Sequence, residues 1–168
     1  HDIAGDSRFK TTGINLAYAK RVIATTNNMF NFGAELGLFQ RSVIFDDLVF
    51  NDPENVNNIN FLFSDISIGI ANLYEINKKM DVESGIAFYH INKPRQSLIA
   101  NDAITLNQKM HLHTTLNYVF NAKLSMQPKL LLSNQGTDKE FLLAFDVNYL
   151  LEAEQDVILK LGIAERFN

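Results

Sequence analysis

The sequence predicts an all-β protein, an antiparallel transmembrane β-barrel of the outer-membrane kind with about eight strands in this chain. Three observations predict it. The first is a two-residue rhythm: Phe30, Phe32, Ala34, Leu36 and Leu38 alternate with Asn31, Gly33, Glu35 and Gly37. Strict alternation marks a strand with two unlike faces. The second is that no helical period of apolar residues competes over a comparable length. The third is that connections at one end of the expected hairpin chain are long and those at the other end short, the asymmetry of outer-membrane barrels.

The strands follow in order as Thr11–Ile23, Met29–Phe45, Asp65–Ile76, Met80–Asn92, Ile104–Phe120, Lys123–Ser133, Glu140–Leu150 and Asp156–Arg166. Ile14, Leu16 and Tyr18 set the period of the first. Pro128 interrupts the sixth and predicts a bulge there. Before the first strand, Ala4-Gly5-Asp6 reads as loop. The short connections are Ala24–Asn28, Asn77–Lys79, Asn121-Ala122 and Leu151–Gln155. The longer ones, Asp46–Ser64, Lys93–Ala103 and Asn134–Lys139, fall together at the opposite end.

Bulk composition narrows the classes. A chain of 168 residues fits one domain. Its 46% hydrophobic content and net charge of −4 fit neither a disordered chain nor a basic nucleic-acid binder. No apolar run approaches the roughly 20 residues of a helical span, and strands that are apolar on one side only leave the same result. The absence of cysteine excludes disulfides and thiolate metal sites and leaves the compartment unread from redox chemistry. The N-terminus shows no leader segment, and the last alternating run stops at Glu165-Arg166-Phe167-Asn168. A single barrel domain over 1–168, cut from the middle of a longer barrel, is the expectation.

The two phases differ in chemistry. One collects Ile14, Leu16, Tyr18, Ile66, Ile68, Ile70, Val82, Ile86, Phe88, Met110, Leu112, Leu116, Phe141, Leu143, Phe145, Leu159, Leu161 and Ile163. No charge interrupts its middle, and Lys20 is the nearest. The other holds Glu35, Arg41, Glu83, Lys109, His111, His113, Lys129, Asp146, Lys160 and Arg166 among Gly33, Gly37, Gly69, Gly85 and Gly162. Mixed charges that must pair, with small residues leaving them room, suit a narrow lumen. Glycine weakens a strand centre unless something approaches closely. Aromatic residues near strand ends of the apolar phase, among them Phe30, Tyr74, Tyr118 and Tyr149, fit an interfacial girdle, although tryptophan is absent. The competing reading is a soluble barrel or sandwich whose apolar phase is its core.

Candidate chemistry is sparse. His111 and His113 lie two apart on one strand face, a spacing able to hold a metal, but no convergent carboxylate is evident and polar lumen residues are the simpler reading. Asp46, Asp47, Asn51, Asp52 and Glu54 make an acidic, amide-rich loop. Calcium takes such oxygens, yet the spacing matches no EF-hand, and a solvated loop is preferred. There is neither a GxSxG turn nor a phosphate loop. No enzyme, metal or cofactor is expected. In Lys93-Pro94-Arg95-Gln96-Ser97 a proline fixes the exit from a strand between two cations. It reads as an ordinary loop or as a docking or lumen-plugging segment.

Several blocks resemble a known family. Ala87-Phe88-Tyr89-His90-Ile91-Asn92-Lys93-Pro94-Arg95-Gln96-Ser97 is similar to the A-x-H-x-x-x-P-x-Q-S stretch of the PorP/SprF family, outer-membrane proteins of Bacteroidetes associated with type IX secretion and gliding. Asp2–Thr12 resembles the family's D-x-A-G-D opening, Leu16–Ala19 its L-x-Y-A strand, and Gly37–Ser42 its G-x-x-Q-R strand. Ser133–Gly136 resembles its S-Q-G turn, and Leu161-Gly162 with Arg166 its L-G-x-x-x-R strand. The blocks run in order along the whole chain. Lys93 and Arg95 make one loop more basic than the family pattern.

The resemblance implies an outer-membrane component that supports export or surface anchoring by binding, with no catalytic residue. Its implied partners are outer-membrane lipid, exported or cell-surface proteins and periplasmic secretion components. Asp46, Asp47, Asn51, Asp52, Glu54 and Lys93–Ser97 are the expected partner contacts. Glu35, Arg41, Glu83, Lys109, Lys129, Asp146 and Arg166 are the expected lumen charges. The alternatives are a porin-like or hydrophobic-solute channel and a soluble lipocalin-like barrel.

Overall fold

The computed structural model describes residues 2–4, 9–43, 59–96, 104–152 and 157–167. They form one nine-stranded antiparallel sheet in sequence order. The strands are β1 (Asp2–Ala4), β2 (Phe9–Thr25), β3 (Asn28–Val43), β4 (Ile59–Asn77), β5 (Met80–Tyr89), β6 (Lys109–Val119), β7 (Leu124–Gln135), β8 (Asp138–Glu152) and β9 (Val157–Phe167). Every neighbour pair is antiparallel, and β9 pairs only with β8 among the described residues. The sheet is not closed, as befits part of a barrel.

Several expectations need correction. Ala4 is not loop: it ends β1 and pairs with Phe9, while Gly5 and Asp6 lie outside the described residues. β4 begins at Ile59, so Ile59–Ser64 belongs to a strand rather than to the long connection. β5 ends at Tyr89, because His90 and Lys93 turn with positive φ, 58° and 46°. β6 begins at Lys109, and Ile104–Gln108 is not strand apart from the isolated Arg95–Thr105 bridge. Pro128 makes no bulge, since the β6–β7 register is unshifted on either side of it. Leu116–Pro128 and Asn117–Gln127 simply drop out of the ladder, as expected where a backbone N–H is missing. Asn134–Lys139 is no long connection: Gly136 adopts φ 62° and closes a tight hairpin. The long-loop end therefore carries two long connections, not three.

The opposite end is built for tight reversal. Asn77 and Asn121 accept hydrogen bonds from the backbone N–H groups of Lys79 and Lys123, both at 2.9 Å. Register shifts at Ile23/Thr25, Glu75/Asn77 and Leu150/Glu152 all lie beside these turns.

Register turns the sequence phases into two faces. Phe32, Ile70, Ile86, Leu112, Leu132, Phe141 and Phe167 form one continuous apolar row across seven strands. Among the described residues nothing covers it: Phe32 and Phe167 are each 46% exposed. Among the described residues, Val43 and Pro94 are the buried apolar side chains. A sheet this large with no interior of its own needs an apolar medium against that face. The face also holds a polar patch, Asn72, Ser84 and Thr114. It is bonded internally: Ser84 Oγ and Thr114 Oγ1 share a 2.8 Å hydrogen bond, and Asn72 donates to the Met29 carbonyl at 3.2 Å. Lys10, Lys139 and Glu165, each near a strand end, join Lys20 as charges on this phase.

Candidate functional site

The other face gathers the expected lumen charges. Register places Glu35, Arg41, Glu83, Lys109, Lys129, Asp146 and Arg166 on one side of the sheet with His111, His113 and Lys160. Their charges pair across strands. Asp146 Oδ2 accepts from Lys129 of β7 and, at 2.9 Å, from Lys160 of β9. Arg166 Nε donates to Glu140 Oε1 at 2.7 Å. His113 Nε2 stands 3.9 Å from Glu83 Oε1. Gly162 explains its own presence. A Cβ there would lie 2.3 Å from Asp146 Oδ1, so the glycine is what lets the carboxylate lie flat between two strands.

Not every candidate joins this network. Among the described residues Glu35 has no ion-pair partner; Ala17, Gly33, Ser67 and Gly69 surround it. His111 meets the rings of Tyr89 and His113, with centroids 6.3 Å away in both cases. Among the described residues no three His, Asp or Glu side chains converge as a metal site. Lys109 sits at the long-loop end, in a shallow cavity of about 430 Å³ shared with Ser133, Asp138 and Glu140.

At that end the pattern inverts. Beyond Leu38 and Ser64, the uncovered face carries Gln40, Ser42 and Asn60 beside an exposed Leu62, while Phe39, Phe61 and Phe63 enter the charged phase. Phe39 and Phe63 stack at 5.2 Å. The Arg41 guanidinium lies over Phe9 and Phe63, at 5.3 Å and 5.1 Å, within cation–π range. Its Nε donates to Thr11 Oγ1 at 3.3 Å. This cluster had no signal in a reading based on strict alternation, because Phe61-Leu62-Phe63 is apolar on both faces.

The segment Lys93–Gln96 closes over the cluster. Arg41 donates to Gln96 Oε1, Arg95 stands 5.8 Å from the Phe61 ring, and Pro94 is buried. The two arms of the connection bond to each other, Gln96 N–H to the Ile104 carbonyl and Leu106 N–H to the Pro94 carbonyl, both 2.9 Å. His90 Nδ1 lies 2.8 Å from Asp65 Oδ2 and anchors the strap at its start. Pro94 and Gln96 thus face inward, and Lys93 is exposed. Asp46, Asp47, Asn51, Asp52, Glu54 and Ser97 lie outside the described residues.

The whole chain matches one family. The family model of the type IX secretion system membrane protein PorP/SprF covers residues 1–168. No curated protein and no solved structure matches. A two-faced open antiparallel sheet, uncovered on its apolar side, agrees with that match, and the chain belongs to the PorP/SprF family of type IX secretion membrane proteins, residing in the outer membrane rather than folding as a soluble ligand-binding barrel.

Proposed function

We propose that this protein supports type IX export or surface anchoring by binding polypeptides at the long-loop end of its barrel. The sheet is then a sector of one barrel, with its apolar face in lipid and its ion-paired face toward the lumen. One observation carries the binding role. The charges of the polar face neutralise one another across strands, as Asp146 does with Lys129 and Lys160. A group spent in this way holds a wall together and is not held ready for chemistry. The long-loop end, by contrast, carries β3 and β4 beyond the end of the apolar band. Asp46, Asp47, Asn51, Asp52, Glu54, Lys93 and Arg95 supply the partner contacts there, while Glu35, Arg41, Glu83, Lys109 and Arg166 line the wall.

The test compares export in a deletion strain with single-channel recording of the purified protein in a planar bilayer. Loss of surface-exported protein together with a silent bilayer supports the binding role. Normal export together with steady ion conductance overturns it in favour of a channel.

A further inference from the structure

The polar patch of Asn72, Ser84 and Thr114 lies inside the apolar face rather than at its rim. Register sets the three side by side on β4, β5 and β6. Along each strand the patch residue has apolar neighbours two positions away on both sides: Ile70 and Tyr74, Val82 and Ile86, Leu112 and Leu116. Thr114 is the central residue of β6. The patch therefore faces hydrocarbon and not headgroups. Around it Phe30, Ile70, Ile86 and Leu112 line a shallow depression of about 550 Å³.

Hydrogen counting leaves a donor and an acceptor over. Asn72 spends both amide hydrogens inside the protein, on Asn28 Oδ1 and on the Met29 carbonyl. Among the described residues its own Oδ1 accepts no hydrogen bond. Ser84 and Thr114 carry two hydroxyl hydrogens, and their shared 2.8 Å bond uses one. All three side chains are only half-buried, and Asn72 stands directly opposite Ser84. Hydrocarbon supplies a partner to neither group, and an acyl chain filling the depression would leave both unmade. Irregular backbone does not lie against lipid, so a loop does not fill it either.

We propose that two copies of this chain pair in the outer membrane through this patch, about a two-fold axis along the membrane normal, the spare hydroxyl hydrogen of each copy donating to Asn72 Oδ1 of the other. A two-fold contact needs a surface that is complementary to itself. One spare donor beside one spare acceptor meets that condition. An axis along the normal also brings every residue to the depth of its own counterpart, so a second copy carries its polar atoms at the level where the first needs them. Another membrane protein would have to match both the chemistry and the depth. This pairing rests on the apolar face lying in lipid, as proposed above, and not on the export role.

The test uses the full-length protein in its native outer membrane. Cysteine replaces Ile86, beside Ser84 on the same face, and copper phenanthroline oxidises neighbouring thiols to a disulfide. Val82→Cys, on the other side of Ser84, gives a second position. The expected product has twice the monomer mass and contains this chain alone by mass spectrometry. Leu16→Cys, 73% exposed on the same face of β2, should stay monomeric. Adding Ser84→Ala with Thr114→Val removes both hydroxyls together and strands neither. The dimer yield should then fall by roughly three- to tenfold, the range of a side-chain hydrogen bond within a membrane, while the heat-dependent gel mobility of the folded barrel stays unchanged. Full dimer yield without the hydroxyls overturns the proposal. So do monomers at both Ile86→Cys and Val82→Cys, an adduct to a different polypeptide, or equal dimer from Leu16→Cys. Leu36→Cys separates the two readings. If a lipid-soluble thiol reagent reaches it, a missing dimer counts against the pairing alone. If no reagent reaches it, the face is a core and both fail.

Discussion

Asp146 shows how much a single polar-face residue depends on its neighbours. It lies between Lys129 and Lys160, on a floor that only Gly162 leaves low enough. Removing the carboxylate leaves two ammonium groups facing each other, whereas removing one lysine leaves an intact pair. Asp146→Asn is therefore expected to lower the urea midpoint of the folded barrel more than Lys129→Met or Lys160→Met. Gly162→Val displaces the same carboxylate, so combining it with Asp146→Asn should add little, a non-additivity measurable by a double-mutant cycle. Arg41 is the corresponding residue for the strap. Losing its charge-assisted bond to Gln96 costs about 1.5–3 kcal/mol of local closure, or roughly ten- to hundredfold in opening. Arg41→Ala should speed tryptic cleavage after Arg95 by that factor, with the global unfolding midpoint less affected. An unchanged cleavage rate would mean that the strap is held by its internal bonds alone.

At the scale of elements, the apolar row across β3–β9 and the internally bonded patch make different demands on lipid. Ile70 lies in the row between Phe32 and Ile86, and Ile70→Arg is expected to cost about 2–4 kcal/mol in vesicle-refolded protein, as cations do at the bilayer midplane. Glu35→Gln, on the opposite face, should move the midpoint little. Ser84→Ala strands the Thr114 hydroxyl and should cost about 0.5–1.5 kcal/mol, and adding Thr114→Val should recover part of that loss. The strands themselves were largely legible in the sequence, because a period of two is a property of neighbouring residues. The first residues of β4 were not. Phe61 and Phe63 put apolar side chains into the charged phase, so Ile59–Ser64 looks like part of a loop when read by polarity alone. The end of β5 escaped for a different reason: it is set by positive φ at His90, a residue type that does not announce it, and by Asn92 bonding to β4, a contact far along the chain.

For the whole molecule, the uncovered face decides the environment. Single cysteines at Leu36 and Glu35 in native membranes test this directly. Leu36→Cys should react with a lipid-soluble thiol reagent and Glu35→Cys with a water-soluble one. Protection of Leu36→Cys from both, in protein that stays monodisperse without detergent, would make the apolar face a core. β2 and β9 both stay exposed on either face and unpaired with each other. Open edges are costly in lipid because their backbone groups have no water to turn to.

By itself, the sequence determined the strand period, the two faces, the short turns and, through ordered blocks from Asp2 to Arg166, the family. All of these are written in residues close together along the chain. Only the tertiary structure decided which charges pair, what the glycines make room for, and that Lys93–Gln96 folds inward onto Arg41. It also decided that β4 outruns its pairing with β5 among the described residues. Each of these depends on register between strands, and register joins residues that the sequence keeps far apart.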